Sequence, residues 1–80
     1  MQREEIKERV YRVIAQVLKV EPAQIQESHT FTGDLGAESV QAIELVAGFE
    51  EEFDIEMDED EALNVLDVKG AIDFIAKHFD

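Results

Sequence analysis

Ile6, Val10, Val13, Ile14, Val17 and Leu18 recur at steps of four, three, one, three and one residues. That spacing returns side chains to one face of an α-helix, whereas a strand would send them alternately to opposite faces. It predicts a helix over residues 3–19, with Arg3, Glu4, Lys7, Glu8, Arg12 and Lys19 mainly on its other faces. The period returns from Glu38 to Phe53, where Val40, Ile43, Val46 with Ala47, Phe49 and Phe53 are expected to face inward. Behind a capping Asp67 it appears again in Val68, Ile72, Ile75 and Phe79. Between these stretches Asp58 can cap a short helix, with Glu61 at the capping-box spacing. The expected fold is all-α: a four-helix bundle of three longer helices and one short helix, with a long loop between helices 1 and 2.

Pro22 ends the first helix, because proline lacks an amide proton and disfavours helical geometry in the residue before it. Residues 20–37 then form a connection long enough to need either a function or internal pins. Ile25, Phe31 and Leu35 are the expected pins, and a short turn of helix is expected over residues 22–25. Gly48, inside the second helix, costs about 1 kcal/mol relative to alanine, a cost that close packing against a neighbour would explain.

Eighty residues are expected to make a single domain over residues 1–80, with a modest core and a monomeric state. There is no cysteine, so disulfides and thiolate metal sites are excluded, and any thioester chemistry must borrow its sulfur. Twenty acidic against seven basic residues leave a net charge of −13. Nucleic acid and anionic membranes are disfavoured, since affinity for either depends on cations, while partners with basic surfaces are favoured. The charged start and the absence of a long apolar run argue against a signal peptide and against membrane insertion, and a cytoplasmic location is the expectation.

The run Asp34-Leu35-Gly36-Ala37-Glu38-Ser39-Val40 stands where the long loop gives way to the second helix. Helix-start amides are unpaired and the helix dipole is positive there, which suits a phosphate on the serine oxygen. Serine also caps helices with no further role. A catalytic serine would need a base and an oxyanion site, yet only His29 and His78 are available and the flanking residues form no Gly-x-Ser-x-Gly elbow. A calcium loop counted from Asp54 fails at both diagnostic positions, Glu59 and Val65. No metal site is expected.

The same run resembles the prosthetic-group attachment site of acyl carrier proteins, usually Asp-Leu-Gly-Ala-Asp-Ser-Leu followed by an acidic helix. The resemblance extends to Ala71-Ile72-Asp73-Phe74-Ile75 without obvious gaps and departs beside the serine at Glu38 and Val40. It implies an acyl-carrier bundle with no catalysis of its own. Ser39 would receive 4′-phosphopantetheine from coenzyme A, flanked by Asp34, Leu35, Gly36 and Glu38. The implied partners are a phosphopantetheinyl transferase and acyl-transfer or synthase enzymes with basic docking patches.

Within an acidic band of Glu38, Glu44, Glu50, Glu51, Glu52, Glu56 and Glu59, the implied docking contacts are Glu38, Val40, Glu44, Glu51 and Glu56. Gln41 stands where many members have an acid. An acyl pocket between the second and third helices is implied for Phe31, Val46, Phe49, Met57, Ala62, Leu63, Val65 and Ala71, residues that otherwise read as core. Phe49 is bulky where an aliphatic residue is common, which implies a shorter sheltered chain. The pathway implied is fatty-acid or related biosynthesis. Polyketide, aminoacyl or peptidyl carriers are the alternative, with Gly36-Ala37 arguing against the last, and an unmodified helical interaction module is the other.

Overall fold

The computed structural model describes residues 1–79. Four α-helices carry the described chain: α1 (Arg3–Leu18), α2 (Ser39–Phe53), α3 (Glu59–Leu63) and α4 (Val68–Ala76). A 3₁₀ turn at Pro22–Gln24 follows α1, and a second at Lys77–Phe79 extends α4. α1 packs against both α2 and α4, and α3 packs on α2. The six side chains most completely removed from solvent are Ile6, Val10 and Ile14 of α1 with Val68, Ile72 and Ile75 of α4. The seam between these two helices is therefore the centre of the core.

The first helix runs as its apolar period dictates and stops at Lys19, which takes a left-handed conformation (φ 59°). Asp67 accepts a hydrogen bond from Gly70 N (2.7 Å) and Asp58 one from Glu61 N (3.1 Å), so both aspartates cap as their spacing predicts. Glu61 contributes its backbone amide to that cap.

The inward face of α2 differs from the one its period suggested. Leu45, Phe49 and Phe53 are buried and Val46 is half-buried, whereas Ala47 is exposed and Val40 and Ile43 are 63% and 51% exposed. The helix carries apolar residues on more than one face, so spacing alone admits two phases. Leu45, Phe49 and Phe53 win because they stand four residues apart and offer the larger area for burial. Gly48 then sits against α1: a Cβ there would lie 2.8 Å from Val13 Cγ1, closer than side chains pack. Glycine at this point sets the spacing of the α1–α2 pair.

The long connection is pinned as its apolar residues predict, with Ile25 and Phe31 buried and Leu35 half-buried. It is also stitched to the start of α4. Val68 N donates to His29 O (3.0 Å) and Lys69 N to Glu27 O (2.9 Å), while Phe31 N donates to Leu66 O (3.0 Å). Amides that would be orphaned at the start of α4 are thus spent on holding the loop. At the opposite end of the bundle Phe79, expected in the core, is half-buried and packs its ring 6.0 Å from that of Phe53.

Electrostatic contacts gather on α1. Arg3 pairs with Glu27 (3.2 Å) and Asp73 (2.9 Å), and Lys7 pairs with Glu27 (3.3 Å). Arg9 Nε donates to Glu52 Oε2 (2.7 Å) and a terminal nitrogen of Arg9 donates to the Glu52 carbonyl, with the guanidinium 4.7 Å from the Phe53 ring centre. A cation there meets the unpaired carbonyls at the end of α2, where the helix dipole favours positive charge. The guanidinium beside Glu27 holds its carboxyl below the usual carboxylate range.

Candidate functional site

The segment leading into α2 is shaped residue by residue. Asp34 Oδ2 accepts from Thr30 N (2.8 Å) and from the Thr30 hydroxyl (3.3 Å), and Asp34 N donates back to that hydroxyl (3.1 Å). These bonds close a turn over residues 30–34. Leu35 then packs against the core while Gly36 adopts φ 71°, a conformation that costs an L side chain about 1–2 kcal/mol. The reversal at Gly36 lets Ala37 bury itself and donate its amide to Phe31 O (2.7 Å). The chain emerges at Glu38, extended, and enters the helix at Ser39.

Asp34 titrates below the ordinary carboxylate range, chiefly because the Thr30 amide hydrogen-bonds its ionised form. A depressed carboxylate stabilises the fold at pH values above its unfolded pKa, and that contribution is lost as pH falls through the folded value. We expect an NMR titration of the Asp34 carboxyl to fall acid-side of a peptide reference. In Asp34→Asn, the loop resonances of residues 30–37 should lose the corresponding acid transition; an unchanged transition would contradict this role.

Ser39 occupies the first helical position, not the cap. Glu38 is the cap residue, and its amide donates to Gln41 Oε1 (2.8 Å), so Gln41 reaches back to secure the helix start. The first backbone bond of α2 runs from Ala42 N to Glu38 O (3.0 Å), leaving the amides of Ser39 and Val40 ahead of the ladder. Ser39 is exposed, and its hydroxyl makes no hydrogen bond among the described residues. An unengaged hydroxyl beside free amides at the positive end of a fifteen-residue helix fits a phosphodiester group in charge, donors and access.

Glu38, Val40, Glu44, Glu51 and Glu56 are all exposed, and none is in an ion pair among the described residues. Two other members of the anticipated acidic band are engaged within the fold. Glu52 faces Arg9 and Arg12, and Glu50 Oε2 accepts from Met57 N (2.9 Å), tying down the α2–α3 connection. Ile43, expected inside, instead joins Val40 on the exposed side of α2 and adds apolar surface among the acids. Sequence spacing gave no sign of it, because an exposed apolar residue and a core residue look alike in a period count.

A cavity of about 90 Å³ lies between α2, α3 and the start of α4. Phe31 from the loop, Val46 and Phe49 from α2, and Met57 ahead of α3 line it. Ala62 and Leu63 of α3, Val65 beyond it and Ala71 of α4 complete the set expected from the sequence. The structure brings all eight together. It adds Leu45, Leu66 and Phe74, which sequence reasoning missed: Leu45 through the α2 phase, and Leu66 and Phe74 because neither fell on a predicted face. His29 and His78 do not meet Ser39. His29 Nδ1 accepts from Gln26 N (3.2 Å) and His78 Nδ1 lies 3.2 Å from Phe74 O.

Residues 8–75 match the family model described as the phosphopantetheine attachment site. The fold is similar to a structure described as a candidate acyl carrier protein from Mycobacterium tuberculosis, with a TM-score of 0.86 at 26% identity. That likeness covers 92% of this chain and 99% of the mycobacterial one. Given a family match over most of its length and a bundle of the same design, this chain belongs to the acyl carrier family, whose domains hold 4′-phosphopantetheine covalently.

Proposed function

We propose that the chain is a non-catalytic acyl carrier, a single domain over residues 1–80, with Ser39 as the anchor of its prosthetic arm. The observation that carries this reading is the Ser39 hydroxyl: exposed, unbonded among the described residues, and one position inside the helix rather than capping it. When attached, the arm supplies the thiol that this cysteine-free chain lacks, and acyl groups ride on it as thioesters. Asp34, Leu35 and Gly36 hold the loop so that the hydroxyl faces solvent, and Glu38 with Gln41 fixes the helix start beneath it.

The proposed partners are a phosphopantetheinyl transferase and acyl-transfer or synthase enzymes with basic patches. Glu38, Glu44, Glu51 and Glu56 would meet those patches around the apolar contact of Val40, giving fast, weak, salt-sensitive complexes of a monomeric carrier. The cavity between α2 and α3 would shelter the acyl chain, with Met57 and Ala62 giving it room to open. Burial there is worth about 0.8 kcal/mol per methylene. Fatty-acid or related biosynthesis is the proposed setting. Gln41 favours a specialised pathway as the second reading, since the residue that secures the helix start also removes one negative charge from the docking face.

Incubation with coenzyme A and a broad-specificity transferase should add the mass of one arm. Subsequent loading from an acyl donor should give a further mass that hydroxylamine removes, as a thioester requires. An acyl group that survives hydroxylamine would count against the proposal.

A further inference from the structure

The interior cavity has a neighbour on the far side of one side chain. An open groove of about 460 Å³ runs along the surface between α3 and the end of α4, bounded by Glu61, Asn64, Lys77 and His78. Phe74 lines both spaces and is half-buried. Its ring is steadied from outside by the His78 ring, 5.7 Å away at a tilt of 52°, and His78 Nδ1 lies 3.2 Å from the Phe74 carbonyl oxygen. The Phe74 ring is therefore a partition between an apolar chamber and a polar surface groove.

The chamber is small. An apolar cavity of about 150 Å³ takes benzene, with its six carbons. In proportion, about 90 Å³ takes on the order of four carbons. Phe49 and Phe31 close other walls of the chamber and are buried, so neither can swing into solvent. Phe74 has the groove behind it.

Resting on the carrier reading above, we infer that Phe74 sets the length of acyl chain this carrier shelters and restricts it to short chains. Methylenes that run toward α4 beyond that length push the ring toward His78 or pass into a groove walled by Glu61, Asn64 and Lys77. In that open space, rimmed by charged and polar groups, they stay hydrated, so the stabilisation gained per methylene disappears. Removing the ring adds the space it fills to the chamber, so further methylenes are sheltered before the groove is reached.

The test uses the full chain carrying its arm, loaded in turn with acetyl, butyryl, hexanoyl, octanoyl and decanoyl groups. Melting temperature is read against the unacylated form of the same variant. In the native chain it should climb by about 4 °C per sheltered methylene from acetyl to butyryl and level off by hexanoyl. In Phe74→Ala the levelling should move to octanoyl or beyond, with Phe74→Leu between the two. Phe74→Leu also keeps the comparison intact if the alanine variant does not fold. A steady climb to decanoyl in the native chain overturns the inference, as does the same plateau in native and variant forms. Intact mass is recorded first: a chain that takes no arm removes the carrier reading itself, whereas loaded chains with identical plateaus remove the Phe74 assignment alone.

Discussion

Ser39→Ala abolishes the mass gain produced by coenzyme A and a transferase, and leaves the melting curve where it was. Both halves of this expectation come from the same geometry. The hydroxyl is the only group at the start of α2 able to form the phosphoester, so its removal should lower loading by at least about a hundredfold, a difference of some 2.7 kcal/mol. Its loss should cost the fold little, because it is exposed and bonds to nothing among the described residues. Surface substitutions of that kind stay within about 0.5 kcal/mol. Glu38 and Gln41, which secure the helix start, are untouched. The chain's other serine, Ser28, lies in the loop after the 3₁₀ turn, in the segment stitched to the start of α4 and not at the start of α2. Residual loading of the variant that maps to Ser28 would sink the assignment.

Ile72→Ala acts in the opposite way. Ile72 is 0% exposed, at the centre of the α1–α4 seam. Truncation to alanine at such a site costs about 2–5 kcal/mol in lost burial and residual cavity. A domain of this size has about 4–12 kcal/mol in total, at roughly 0.05–0.15 kcal/mol per residue. The variant should therefore melt about 8 °C or more below the native chain, and Ile72→Val only a few degrees below it. Circular dichroism separates the two serious losses: Ser39→Ala fails to load while folded, and Ile72→Ala fails to load above the temperature at which its helices melt. A fall of less than about 5 °C for Ile72→Ala would show that the seam is not where the stability lies.

How far the fold could be read in advance depended on whether one physical signal sufficed. Asp58 and Asp67 were legible as caps because a short acceptor side chain before an apolar run has one good use, and each bonds the amide three residues on. The pins of the long loop were legible because Ile25, Phe31 and Leu35 are large apolar residues in a mostly polar stretch. α2 was not, since Val40, Ile43, Leu45, Val46, Ala47 and Phe49 spread around the helix and only its neighbours decide which of them are covered. The stitching of residues 27–31 to residues 66–69 was invisible for a different reason. Backbone bonds between distant segments leave no mark on side-chain identity. For the site, Ser39 stands at the start of α2 and the eight anticipated cavity residues come together, a placement the sequence and the resemblance implied. The engagement of Glu50 and Glu52 inside the fold depends on contacts that no residue period records.

The ion pairs of α1 have a consequence for encounters in solution. Arg3, Lys7, Arg9 and Arg12, four of the chain's seven basic residues, are held along one helix against Glu27, Asp73 and Glu52. Charge is thereby balanced along α1, on its sides toward α4 and toward the end of α2, while the carboxylates around the start of α2 look outward uncompensated. A molecule so polarised feels a torque as well as a pull in the field of a cationic surface, and it turns its serine end forward before the two proteins touch.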